Sequence, residues 1–480
     1  MAVLGIDIGT SSVKALVLDE HGHTLATGRR DHPLRVPQTT WAEGDPEDWW
    51  HATTVAVQSA LAGASGVRIS AIGLSGQMHG VVLTDRQGQP RRPALLWPDT
   101  RAREELAAYR ALPAEALQRL ANPLVPGMAG PLLLWLARHE PALYRSAHWA
   151  LQPKGWLYCR LTGQVTADHS DASATLLYDV PARCWADDII NSLGLMRRLF
   201  PVLASSDDAP GELSTGAAAV LGLAAGLPIA IGAADTAAAA LGSGLLSPGP
   251  VQLTMGTGAQ LIQPCAQPHP DPTLRTHLYV AADGTHWYRM AAIQNAGLAI
   301  DWVRRLLRVD WPDVYGSVTT GEPGARGVTF LPQMTQERPH HPVARTTGAF
   351  LGLRIDHQIE DLLRAALEGV AFGIRVALEA IPGMNTSDPI RVTGGGNLAP
   401  GWRQLLADVL GRELLPVEVS DASARGAALL GGIATGIWAD ASATSACAPA
   451  TQTCVVPHAS HAAAYHKLYE HYLSASSQTP

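Results

Sequence analysis

Gly5-Ile6-Asp7-Ile8-Gly9-Thr10-Ser11-Ser12 is the stretch on which the fold of this 480-residue chain turns. Residues 2–8 are apolar apart from Asp7, the pattern of a strand covered on both faces. Gly9-Thr10-Ser11 then breaks the strand into a tight turn of small residues. One carboxylate is delivered at a strand end. Beside it, glycine lets backbone amides approach a phosphate, and the hydroxyls of Thr10 and Ser11 can donate to its oxygens. A lone carboxylate at such a turn suits Mg2+, which keeps most of its waters and takes one or two carboxylates. Lys14, one of three lysines in the chain, is near enough to reach the same phosphates. The plain alternative is a hairpin with a capping Asp7 and a solvated Lys14. Neither familiar nucleotide loop is present: no Gly-Lys pair exists for a Walker A loop, and no G-x-G-x-x-G opens a helix after a strand.

Outward from this stretch the first half reads as a β-meander with helices after it. Residues 13–18 and 24–28 form strands joined by a turn containing Gly22, as a hairpin requires. Strands are expected at 69–74, 80–84 and 94–97, and helices at 131–138 and 154–161, where apolar residues recur at three-to-four spacing. A strand at 228–232 enters a helix at 236–241. The second half opens like the first: a strand at 251–255 ends in Gly256-Thr257-Gly258, roughly 250 residues after Gly9-Thr10-Ser11. Repetition at half the chain length points to duplicated domains, since solenoid units run about 20 to 50 residues. The division is expected at 1–244 and 245–480. Ile359, Leu362, Leu363, Ala366, Val370, Ile374 and Leu378 lie on one helical stripe that Pro382-Gly383 ends. A strand at 390–393 runs into Gly394-Gly395-Gly396-Asn397, Pro400 opens a helix that stops at Gly411, and the Ala/Ser/Thr-rich last fifty residues read as a loop and a closing helix over 461–473.

Composition narrows the function. Apolar residues make up 47 % and charged residues 16 % of the chain, which allows a large core and argues against disorder. A formal charge of −7 and the lack of a Lys/Arg block argue against nucleic acid. Five scattered cysteines without a C-x-x-C favour reduced thiols, and no export leader is visible, so a cytoplasmic setting is expected. Residues 217–246 are long and apolar enough to span a bilayer, but Pro228, Asp235, Thr236 and several glycines interrupt them. They read as buried strand plus helix, with no membrane.

That stretch holds the second candidate carboxylate. Asp235, in Gly232-Ala233-Ala234-Asp235-Thr236, is its single ionisable group, and a carboxylate among Ala and Gly is costly to leave unpaired. It reads either as an N-cap or as a general base that takes a proton from a substrate hydroxyl attacking a γ-phosphoryl group. Ser75-Gly76-Gln77-Met78-His79-Gly80 lies between two strands, where Gln77 and His79 offer the neutral donors and acceptors that a polyhydroxylated ligand needs. Gly256, Thr257 and Gly258 form a second phosphate turn. Gly394, Gly395, Gly396 and Asn397 leave a flat surface for a nucleoside. Each is weak alone, because Gly-rich strand ends are common structural turns; three in this order are much stronger.

Together these residues resemble the FGGY family of carbohydrate kinases, in the superfamily of actin, hexokinase and the heat-shock chaperone ATPases. The resemblance runs from Leu4 to about Gly436. Its G-I-D-x-G-T-S-x-x-K stands at Gly5 to Lys14, its G-Q-M-H-G at Gly76 to Gly80, and its W-x-E-x-D-P-x-x-W-W at Trp41 to Trp50. The second-lobe signature is similar to the segment from Gly348 to Gly369. The motifs are nearest to those of the xylulokinases within the family. The resemblance implies an α/β fold of two ribonuclease H-like domains with a catalytic cleft between them. It also implies ATP and Mg2+, Asp235 as catalytic base, Asp7 with Asp235 at the metal, and Gln77, Met78, His79 and Thr236 at the sugar. Thr10, Ser11, Lys14 and the two later glycine clusters would hold ATP. Some positions depart from the pattern: Pro98 stands for a usual Asn, Leu132 for a Lys, Gln336 for a Gly, and Ala233, Ala234 and Thr236 replace G-G and Asn around the base.

The expected reaction is phosphorylation of D-xylulose to xylulose 5-phosphate. A kinase for another ketopentose, pentitol or related polyol is the nearest alternative, and an actin- or chaperone-like ATPase the distant one. The Gln77-Met78-His79 loop and the lack of a peptide-binding domain after residue 436 favour the kinase. The expected partners are the small sugar and ATP, with a homodimer as one allowed assembly.

Overall fold

The computed structural model describes residues 1–319, 322–334, 347–383, 388–397 and 399–478, and in it the chain builds two mixed sheets of matching strand order. In the first, β1 (Ala2–Ile8), β2 (Ser12–Asp19) and β3 (Thr24–Asp31) form an antiparallel meander. After helix α1 (Pro46–Gly63), β4 (Ile69–Gly76) lies parallel to β1. The edge is completed by β5 (Gly211–Glu212), β6 (Pro228–Ile229) and β7 (Ala233–Ala234), the last pairing with the end of β4 and running into α2 (Asp235–Gly242). In the second sheet, β8 (Gln252–Met255), β9 (Ala259–Cys265), β10 (His277–Val280) and β11 (Trp287–Ile293) are antiparallel. Helices α3 (Gly297–Leu307) and α4 (Ile359–Glu379) lead to β12 (Ile390–Thr393), parallel to β8. Then α5 (Pro400–Leu410) leads to β13 (Leu414–Pro416), parallel to β12.

The orders β3-β2-β1-β4-β6 and β11-β9-β8-β12-β13 therefore correspond strand for strand, three antiparallel and two parallel. These are the two ribonuclease H-like domains expected. Alternation along β1 explains how both faces of the first sheet are covered. Leu4, Ile6 and Ile8 join Val13, Ala15 and Val17 in one core with α1, while Val3, Leu16 and Leu18 join Ala424 and Ala428 in another. The second face is closed by α6 (Ala422–Ala434), which follows the second sheet in sequence yet packs on the first. The approach depends on bare backbone. A Cβ on Gly5 would lie 1.9 Å from the Ala424 carbonyl oxygen, and one on Gly73 would lie 1.7 Å from that of Ala427.

In α4, Leu363, Ala366, Val370, Ile374 and Leu378 are buried as the stripe requires, whereas Ile359 at its first turn is exposed. The closing helix, α7 (Ala459–Gln478), is longer than its reading and sets Tyr465, Tyr469 and Tyr472 against Phe372 of α4. Residues 217–246 resolve into helix, two short strands and α2, and no helix among the described residues is long and apolar enough to cross a membrane. Gln336 lies outside the described residues.

Candidate active site

Sheet register brings the two carboxylates together. Asp7 on β1 is the partner of Ser75 on β4, and Ser75 is the partner of Ala233 on β7, two residues before Asp235. All three strands are parallel, so the end of β1 and the start of α2 share one edge of the sheet. Ser75 Oγ donates to Asp7 Oδ1 at 3.0 Å. Burial pushes the Asp7 carboxyl up to about 6, against the pull of Ser75 and Lys14, and Asp421 adds to the rise.

Asp235 is the first residue of α2 rather than its N-cap, a place taken by Ala234. Its Oδ1 accepts from Thr236 N at 2.6 Å and Thr236 Oγ1 at 3.2 Å. Burial lifts its carboxyl to about 7, the charge of Asp7 raises it further, and the Thr236 hydrogen bonds oppose the shift. The capping alternative is not the geometry observed. A carboxyl held near neutrality beside a second carboxylate is the environment in which acid–base groups are tuned.

The chain turns named from sequence gather at the strand ends. Gly9 N donates to Ser12 O at 2.9 Å and Gly256 N to Gly258 O at 2.8 Å, so the two small-residue turns occupy equivalent places between β1 and β2 and between β8 and β9. Gly394 has φ +87° and leaves room for the Met255 carbonyl, from which a Cβ would stand 2.2 Å away. Nothing lies within 4 Å of a Cβ built on Gly395. The Gly256–Gly258 and Gly394–Gly396 turns are thus packed together through Met255, with an open glycine face. Asn397 ends the short turn that follows β12.

The other candidate residues are held by contacts within the chain. Thr10 Oγ1 accepts from Trp97 Nε1 at 2.8 Å, and Ser11 O accepts from His32 N. Lys14 Nζ pairs with Asp421 Oδ1 at 2.8 Å, at the entry to α6, instead of reaching along the turn. Gln77 is buried, with Nε2 donating to Gly9 O at 3.4 Å. Met78 is 5 % exposed and packs in the core with Ala174 and Tyr279, not on an open cleft wall. His79 adopts φ +74° and donates from Nδ1 to Ala174 O at 2.7 Å, since a carbonyl can only accept. Its ring lies 6.2 Å from that of Tyr279 on the second sheet. Leu132 is fully buried in the core of the first lobe. Pro98 precedes Asp99, which is buried and accepts from Ala42 N and Arg101.

The FGGY N-terminal domain of carbohydrate kinases matches residues 2–242, and the FGGY C-terminal domain matches residues 251–435. The chain belongs to the FGGY family of carbohydrate kinases. It is 32 % identical to xylulose kinase of Escherichia coli K12 over 413 residues, 86 % of this chain and 85 % of that one. The crystal structure of a xylulose kinase from Brucella ovis superposes with a TM-score of 0.91 at 33 % identity, covering 99 % of this chain and 98 % of that one. Plasmodium falciparum glycerol kinase with ADP shares the fold at 19 % identity, with a TM-score of 0.89 and coverage of 100 % and 99 %. This FGGY protein is a sugar kinase of the actin/hexokinase-like two-domain fold, and its family makes ATP the phosphoryl donor.

Two groups of this kinase escaped the sequence reading. Asp421, with Ser423 Oγ donating to Asp235 O at 3.1 Å, brings the start of α6 to the carboxylates. Lys154, Asp168, Ser170 and Asp171 form a buried charged knot under β7. The rarity of lysine was the one signal that could have marked Lys154, but its partners Asp168 and Asp171 lie beyond its own helix and no local pattern joins them to it.

Proposed function

We propose that this kinase transfers the γ-phosphoryl group of ATP to the 5-hydroxyl of D-xylulose, with Asp235 as the base and Asp7 beside it. What carries the reading is the register that sets Asp7, Ser75 and Ala233 side by side, so that two carboxyls far apart in sequence meet at one strand edge. Support for xylulose over other polyols comes from the intact Gly76-Gln77-Met78-His79-Gly80 segment and from relatives named xylulose kinase at about 30 % identity.

Asp235, lifted to about 7, is poised to accept a proton near neutral pH, where a general base is most effective. It takes the proton of the sugar hydroxyl as that oxygen attacks phosphorus, while Thr236 holds Oδ1 and leaves the other oxygen for the substrate. Gln77 and His79 orient the sugar, Met78 backs it from the core, and the turns at Gly9–Ser11, Gly256–Gly258 and Gly394–Asn397 hold ATP, with Lys14 at the side of the first. The donor set fits Mg2+: Asp7 and Asp235 offer hard carboxylate oxygens whose mutual repulsion a divalent cation relieves. Asp7 and Asp235 would hold such an ion, which would supply positive charge toward the transferring phosphoryl group. Because the transition state is largely dissociative, positioning matters more than base strength.

Asp235→Ala is expected to lower kcat at least about a hundredfold, the low end for general base catalysis. Coupled ADP release should be read across ketopentoses and polyols for both forms. Wild-type turnover by Asp235→Ala would remove the base assignment, and a markedly higher kcat/KM for another polyol would remove xylulose.

A further inference from the structure

The buried knot under β7 is unusual in its placement. Lys154, Asp168, Ser170 and Asp171 are each at most 2 % exposed. Lys154 Nζ lies 2.8 Å from Asp168 Oδ1 and 3.6 Å from Asp171 Oδ2. A buried ion cluster is weak ground for stability, because desolvation offsets its attraction, so its position asks for another reason. Three of its ties lead to the four residues before Asp235. Lys154 Nζ donates to Ile231 O at 3.3 Å. Ser206 Oγ donates to Asp168 Oδ2 at 3.1 Å, and Ser206 O accepts from Gly232 N at 2.9 Å. Ser170 Oγ donates to Asp168 Oδ2 and accepts from Ala234 N at 2.9 Å. The same segment runs on to Ala174, whose carbonyl holds His79 Nδ1 at 2.7 Å. Ser173 Oγ, one residue earlier, accepts from Val280 N of the second sheet at 3.1 Å.

We infer that residues 168–174, clamped by Lys154, are the positioning element of the sugar side: Ser170 sets the backbone that carries Asp235, and the Ala174 carbonyl sets the ring of His79. This rests on Asp235 being the base and His79 a sugar contact. One short rigid segment thereby fixes both groups relative to each other. Holding Nδ1 as donor also makes Nε2 the acceptor of the neutral imidazole. Chemically, the segment touches no reacting atom. It removes slack, and a misplacement near 1 Å can cost about a hundredfold in rate.

The test is Ser170→Ala in the wild-type and Asp235→Asn backgrounds, with ADP release, KM for sugar and ATP, and thermal unfolding measured for each. Ser170→Ala is expected to lower kcat by about tenfold or more, with KM for ATP unchanged, while the loss of the partner of Ala234 N lowers the melting temperature equally in both backgrounds. In the Asp235→Asn background it should lower kcat no further, because both changes act through one group. Wild-type kcat in Ser170→Ala, or an equal loss of kcat in both backgrounds, overturns the positioning role while leaving Asp235 as base. Wild-type kcat in Asp235→Asn alone overturns both. Should Ser170→Ala not fold, Ser206→Ala removes only the outer hydrogen bond on Asp168, and the same pattern is required of it at smaller size.

Discussion

Asp235 and Asp7 illustrate how burial and like charge prepare an acidic side chain for work near neutral pH. With Asp235 lifted to about 7, kcat/KM for the sugar should rise with pH through a limb near that value, as the free enzyme loses the proton. A flat profile between pH 5.5 and 8 would contradict this. The same shift has a stability consequence. The folded protein holds the proton more tightly than the unfolded chain, so the ionised carboxylate destabilises the fold, fully above the folded value and not at all below the ordinary 3.8. Asp235→Asn should therefore be more stable than wild type at pH 8, by on the order of 1–2 kcal/mol given solvent at the cleft edge. The gain should vanish toward pH 4, as denaturant titrations at the two pH values would show. Asp235 was legible in sequence because nothing else in its stretch can ionise. Asp421 was not: its importance comes from Lys14, more than 400 residues earlier, and no local pattern joins them.

At the scale of elements, β1, β4, α2 and α6 are held by backbone contact in place of large side chains. Gly242 meets the Ala422 carbonyl oxygen at 2.0 Å from its built Cβ, and Gly426 meets that of Ala238 at 1.8 Å. Gly5→Ala should force β1 and α6 apart, costing about 1–3 kcal/mol as overpacking does. Gly216→Ala, in the helix Thr215–Leu221 with nothing within 4 Å of the new Cβ, should instead gain up to about 1 kcal/mol from helix propensity. Chemical denaturation of the pair separates packing from a general intolerance of glycine replacement; equal effects would refute the close-approach account. The strands were legible as apolar runs, and α4 as a stripe of large residues. The sequence of α6, rich in Ala and Gly, carries no such stripe. Its small residues acquire meaning only against the glycines of β1 and β4.

For the whole molecule, duplication and interlocking oppose each other. Two sheets of matched strand order lie on either side of residue 244, the division expected from sequence, yet α6 follows the second sheet in the chain and covers the first. Residues 1–244 alone should expose that glycine-lined face and show no cooperative thermal transition, whereas the full chain should unfold in one. A sharp melt of the isolated 1–244 piece, followed by circular dichroism, would show the first domain to be self-sufficient. By itself the sequence determined what local physics can specify: buried apolar strands, the two Gly-Thr turns half a chain apart, and an acidic residue isolated among alanines. Only the tertiary structure decided that Asp7 and Asp235 share an edge, that Lys14 faces Asp421, and that Lys154 lies under the strand before Asp235. Those relations depend on strand register and on the return of α6, which are set by long-range packing and leave no periodic trace in the chain.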